Sequence, residues 1–208
     1  MIPLLASPRT VLAIGAHPDD IEIGAGGLLL TLAGHRPDIY YLVLTGTPER
    51  HAEARKAAAA FSGDAHVELH DFPEGRLPAV WRDVKEVLET KSAHVRPDLI
   101  LAPGPDDLHQ DRRMIAELVP TVFRDQLYFA YEIPKWDGDL ARPSLYVPLT
   151  SDQAQQKVTL LNNCFPSQRY RNWWDDEVFL GLARLRGMEC RARYAEAFHC
   201  AKAVLELS

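Results

Sequence analysis

The stretch from Val11 to Gly27, VLAIGAHPDDIEIGAGG, constrains the fold of this chain more than any other. It opens with an apolar run, Val11-Leu12-Ala13-Ile14, of the kind that forms a strand buried on both faces. The run ends in His17-Pro18-Asp19-Asp20. Pro18 disfavours the helical region for His17, so the chain turns there instead of curling onward. An imidazole and two carboxylates therefore stand at the carboxyl end of the first predicted strand. In open α/β sheets, ligands bind at that end.

The chemistry of the cluster follows from its residue types. A neutral imidazole and a carboxylate suit Zn²⁺ and other first-row divalent ions. Asp19 and Asp20 are neighbours, so their side chains point in different directions. One can ligate a metal while the other faces the water bound to it. Two adjacent carboxylates also repel each other unless a cation is near. An ordinary helix start would account for Asp19, Asp20 and Glu22. It would not account for His17, and the site reading is preferred. The GAGG that follows is no dinucleotide fingerprint, because it lacks the GxGxxG spacing and does not directly follow the strand.

Elements alternate through the first two thirds. Ile21 to Ala33 is a predicted helix whose glycines allow close packing on the sheet, with Gly34 as its stop. Asp38 to Leu44 is a second strand, Glu49 to Phe61 an alanine-rich helix, and His66 to Phe72 a third strand. Pro78 to Thr90 carries Val80, Val84, Val87 and Leu88 at helical spacing. Pro97 to Ala102 is a fourth, fully apolar strand, and Met114 to Phe123 a helix. This order implies a Rossmann-like, doubly wound, mainly parallel sheet with helices on both faces. Tyr128 to Ile133 and Ser144 to Leu149 are two further predicted strands. Ser151 to Asn163 (capped by Ser151), Asp175 to Arg186 and Arg193 to Leu207 are predicted helices. The 208 residues, 47% of them hydrophobic, are expected to form one domain over 1–208.

A net charge of −6 argues against nucleic acid or an anionic membrane as partner. No apolar run reaches the roughly 18 residues of a membrane span. The opening MIPLLASPRT lacks the pattern of a signal peptide. Cys164, Cys190 and Cys200 have no CxxC spacing and read as reduced thiols, which places the chain in the cytoplasm.

The fourth strand runs into Asp106-Asp107-Leu108-His109-Gln110-Asp111-Arg112-Arg113, the other place where His and Asp crowd at a strand's carboxyl end. Loops after the first and fourth strands can meet at a topological switch point. An apolar strand ending in AHPDD, a GG-containing segment and a later HxDH-type loop resemble the LmbE-like (PIG-L) zinc-dependent N-deacetylases, over nearly the whole chain. The resemblance implies a Rossmann-like fold and one Zn²⁺, or another divalent metal, held by two His and one Asp. It implies hydrolysis of an N-acetyl group from a small amino sugar or sugar conjugate. Related sugar deacetylases are often oligomers, so a homo-oligomer is an expectation too.

Carried over by position, His17 and Asp20 would be metal ligands and Asp19 the general base. His109, protonated, would polarise the acetyl carbonyl, with Asp111 orienting and charging it. The chain departs from the pattern where the third ligand, a histidine, is expected: Arg112 stands there. A guanidinium stays protonated and has no lone pair to offer. Either the metal is lost, or His17, Asp20 and a further group hold it. An impaired or non-catalytic homologue is therefore the alternative to an active deacetylase. A nucleotide-binding protein is disfavoured by the missing phosphate loop.

Peripheral candidates are Arg50 with Glu53, which corresponds to an Arg-x-x-Glu pair near the substrate or is a helix-surface ion pair. Glu74, in a turn after the third strand, is a candidate sugar contact or a plain turn residue. Trp136, Asp137, Trp173 and Trp174 are candidate stacking residues or packing groups. His199 and the remaining histidines read as structural.

Overall fold

The computed structural model describes residues 8–204. Its elements are β1 (Thr10–Gly15), α1 (Asp20–Ala33), β2 (Asp38–Thr45), α2 (Pro48–Ser62), β3 (His66–Phe72), a 3₁₀ turn (Leu77–Val80), α3 (Trp81–His94), β4 (Leu99–Pro103) and α4 (Gln110–Val122). They continue with β5 (Leu127–Tyr131), β6 (Leu145–Leu149), α5 (Ser151–Cys164), a 3₁₀ turn (Pro166–Gln168), α6 (Asp176–Glu189) and β7 (Tyr194–His199). The seven strands form one sheet in the order β3-β2-β1-β4-β5-β7-β6. β1 to β5 run parallel, whereas β7 is antiparallel to both β5 and β6. This is the doubly wound, mainly parallel α/β fold that the sequence implies.

The chain builds outward from β1 to β3, then crosses back to lay β4 on the other side of β1. That reversal is the switch point, and it sets the loops after β1 and β4 side by side. Both faces of β1 are covered, which explains its unbroken apolar run. Val11 and Ala13 pack with Leu29, Phe61, Leu161 and Phe198 in one layer. Leu12 and Ile14 pack with Leu88, Ile115 and Val119 in the other.

Two of the α1 glycines pack on the sheet as expected. A Cβ at Gly24 would lie 2.3 Å from the Tyr131 ring, and one at Gly27 would lie 2.4 Å from Leu149. Gly26 instead faces Phe61 of α2. Gly34 ends α1 without a left-handed turn; Arg36 takes the positive φ, of 52°.

Several expected boundaries shift. The helix expected from Pro78 begins as a 3₁₀ turn and becomes α3 at Trp81. α4 starts at Gln110, inside the second polar loop, because His109 caps it. Thr150, not Ser151, caps α5, in a capping box with Gln153. The helix expected over Arg193–Leu207 is the strand β7, inserted between β5 and β6. Its Tyr-Ala-Glu-Ala-Phe composition suits a helix, but pairing on both sides in the sheet overrides local preference. The end of that expected helix, and most of the segment read for a signal peptide, lie outside the described residues. Among the described residues, no helix is long and apolar enough to cross a membrane.

Candidate active site

The first loop is fastened from two directions. Thr45, at the end of β2, donates both its backbone N–H and its hydroxyl to the Ala16 carbonyl, at 3.0 and 2.7 Å. Asp20 folds back so that one carboxylate oxygen accepts the Ala16 and His17 N–H groups, both at 3.0 Å. Between them Asp19 takes φ 105°, a strained conformation for a residue with a Cβ. Its carboxylate makes no capping bond to α1. It accepts instead from Arg50 Nη2 at 2.7 Å. The helix-start reading therefore fails for Asp19, and the two neighbouring carboxylates diverge as expected.

The second loop meets the first across the switch point. His109 caps α4 with Nδ1, which accepts the Asp111 N–H at 3.3 Å. Its ring stands edge-on to His17, with centroids 4.6 Å apart. The Asp111 carboxylate turns the other way. It accepts from Gly75 N–H at 2.6 Å and Leu77 N–H at 3.0 Å, and it lies 3.1 Å from His17 Nε2. So Asp111 orients His17 through its side chain and His109 only through its backbone. Arg112 points into the first loop. Its Nε and Nη2 both donate to Asp20 Oδ1, at 2.9 and 2.7 Å.

These contacts shift the pKa values of the cluster. Burial opposes charge on His17, but Asp20 and Asp111 lift it to about 9. Burial pushes the Asp19 carboxyl up to about 6 against the pull of Arg50. Burial would also raise Asp20, yet Arg112 and His17 hold it far below the usual carboxylate range. Burial, with the charges of His17 and Arg112, holds His109 below the ordinary imidazole value. That direction favours the neutral ring over the protonated one that the resemblance implies. With Nδ1 accepting, its N–H is on Nε2.

Arg50 and Glu53 are more than a surface ion pair. Arg50 spans Glu53 at 2.8 Å, Asp19 and the Pro18 carbonyl, while Glu53 also holds Ser167. Glu74 is exposed in its turn, beside the Gly75 N–H that binds Asp111. Trp174 is buried and donates to Asn162, so it is a packing residue; Trp136 is exposed. Cys164, Cys190 and Cys200 are free thiols.

Three residues that sequence reasoning did not assign tie the site together. Asp107 accepts the His109 N–H at 2.8 Å and lies 3.2 Å from Lys135. Lys135 also pairs with Asp139 at 2.5 Å, and Asp139 accepts the Leu108 N–H at 2.7 Å. The loop after β5 thus clamps the loop after β4. The Lys-x-Asp-x-Asp spacing of Lys135, Asp137 and Asp139 was the signal available.

Donor chemistry tests the fit of a metal. His17, His109 and Asp111 each bring one ligand atom within 4.8 Å of the others, a group that could hold an ion. Asp111, however, already accepts two backbone N–H groups and faces His17. The set that the resemblance implies does not fit. Arg112 has no lone pair, and it covers the oxygen of Asp20 that the backbone leaves open.

A family model described as PIG-L, GlcNAc-PI de-N-acetylase, matches residues 12–123, which include both polar loops. A diacetylchitobiose deacetylase from Thermococcus kodakarensis is 32% identical over 111 residues, 47% of this chain and 41% of that protein. The chain spans less than half the length of the curated relatives it matches. Among solved structures, the N,N'-diacetylchitobiose deacetylase of Pyrococcus horikoshii superposes with a TM-score of 0.72 at 20% identity, covering 93% of this chain and 84% of that one. GalB, a 4-carboxy-2-hydroxymuconate hydratase from Pseudomonas putida, gives 0.80 at 19% identity, covering 96% and 99%. At such identities these two likenesses speak for the fold alone.

Proposed function

The chain belongs to the PIG-L family of GlcNAc-PI de-N-acetylases, and from that premise we propose that its site takes an N-acetylated amino sugar or a conjugate of one. The observation that carries this reading is the convergence of Asp19, His17, His109 and Asp111 at the switch point, where the sheet presents ligands. De-N-acetylation needs a base for water, a donor for the oxyanion and a way to protonate the leaving amine. In a site that turns over, Asp19, held in place by Arg50, would be the base and would hand the proton it takes from water to the leaving amine. The Nε2–H of neutral His109 is the donor to the acetyl oxygen. Asp111 positions the His17 ring. Glu74, at the exposed rim, meets a sugar hydroxyl.

A second reading concerns this sequence as it stands, and Arg112 supports it. Zinc or another divalent ion is the group whose chemistry the family implies, lowering the pKa of its bound water. Arg112 bonded to Asp20 does not fit that group, and no step is derived through it. We therefore read the chain as a ligand-binding member of a hydrolase family whose turnover Arg112 suppresses. Calorimetric titration with N-acetylglucosamine and its glycosides tests the ligand. Saturable binding that His109→Ala weakens tenfold or more is expected. Equal binding of the N-acetylated and free-amine sugars would overturn the proposal.

A further inference from the structure

We infer that Arg112 serves as the chain's own replacement for a metal ion, a permanent counter-charge that keeps this site organised and metal-free. The inference concerns the site's charge and stands whether or not the ligand is a sugar. Two buried carboxylates on adjacent residues require compensating positive charge. The chain supplies one guanidinium to each: Arg50 to Asp19 at 2.7 Å, and Arg112 to Asp20 at 2.7 and 2.9 Å. Asp20 is fully buried and Asp19 is 4% exposed, so neither can rely on water. With both paired, neither carboxylate needs a divalent ion as its counter-charge.

Arg112 is also placed where it does more than neutralise. Its Nη1 lies 3.9 Å from Asp107, which accepts the His109 N–H. It therefore lodges between Asp20 of the first loop and Asp107 of the second, and ties them across the switch point. His17 keeps the orientation that metal-binding histidines have, one ring nitrogen held by a carboxylate, here Asp111. Its other nitrogen lies 3.4 Å from the Asp20 oxygen that the backbone occupies. His17 and Asp20, two of the ligands that the resemblance implies, lie 3.4 Å apart, and a side chain that no chelator can remove stands in for the ion.

The test uses the full chain and its Arg112→His and Arg112→Met variants, each stripped with chelator and dialysed against excess Zn²⁺. Metal content is read by elemental mass spectrometry and Tm by differential scanning fluorimetry. The wild type should hold no zinc, and neither chelator nor Zn²⁺ should move its Tm. Arg112→His should take up about one equivalent, as one such centre would, and its Tm should rise with zinc. Arg112→Met should melt lower than the wild type, because it leaves Asp20 unpaired. Zinc uptake by the wild type would overturn the inference. If Asp111→Asn abolished that uptake, the ion would belong to the His17, His109 and Asp111 group instead. Failure of Arg112→His to bind zinc would equally overturn the assignment, and a Tm of Arg112→Met at or above wild type would contradict the counter-charge role.

Discussion

Replacing Glu196 by alanine should be among the most damaging single changes in this fold. Glu196 projects from β7 into the middle of α1. One oxygen accepts the Gly27 N–H and faces Lys157 Nζ, both at 2.6 Å, and the other accepts the Leu28 N–H at 2.7 Å. Lys157 has one further partner, the Ile23 carbonyl at 2.6 Å. The paired side chains are 4% and 10% exposed. Removing the carboxylate leaves the ammonium buried, which typically costs 3–5 kcal/mol, and deprives two amides of a partner. These terms overlap, so the expected loss is about 4 kcal/mol, which is large against total stabilities of about 5–15. At about 2–4 °C per kcal/mol for a chain of this length, Tm should fall by roughly 8–16 °C. Lys157→Met should cost at least about 1 kcal/mol less, because Glu196 keeps both amide donors. Urea titration followed by circular dichroism measures both. A loss under about 1 kcal/mol for Glu196→Ala, the level of a surface pair, would refute the argument, as would a larger loss for Lys157→Met.

Gly24→Ala should destabilise by about 1–3 kcal/mol, since its Cβ would meet the Tyr131 ring and Tyr131 is anchored to the Ile14 carbonyl at 2.7 Å. Gly181→Ala, inside α6 with open space around it, should instead stabilise by up to about 1 kcal/mol in the same melts. Arg50→Lys should lower Tm, because one ammonium cannot span Glu53, Asp19 and the Pro18 carbonyl as the guanidinium does; an unchanged Tm would argue that the fork is dispensable. Burial would raise Asp139, but Lys135 and the Leu108 N–H hold it below the ordinary carboxylate value. A depressed folded-state pKa contributes stability that is fully present above the unfolded value, about 3.9. That stability is lost as pH falls through the folded value. Asp139→Asn should therefore destabilise at pH 7, begin to approach the wild type as pH falls below about 4, and meet it only below the folded-state value, as read from urea midpoints.

What the sequence disclosed was what depends on neighbours along the chain. The apolar run of β1 and its Pro18 turn announced a strand end with His17, Asp19 and Asp20 on it. Arg112 was visible as a departure, but its bond to Asp20 joins residues 92 positions apart, and no local pattern encodes it. The resemblance pairs Asp111 with His109, whereas its carboxylate turns to His17, 94 positions away. β7 was read as a helix because its composition is helical, and its strand state is imposed by β5 and β6 on either side. Lys135 and Asp139 look like a solvated turn until folding sets them against Asp107.

Acetate release from N-acetylated amino-sugar glycosides tests the central claim, that Arg112 occupies the place of the catalytic ion in a de-N-acetylase site. The wild type and Arg112→His would be compared with and without added zinc. Acetate is expected only from Arg112→His with zinc, and none from the wild type. Chelator-sensitive release of acetate by the wild type would contradict it.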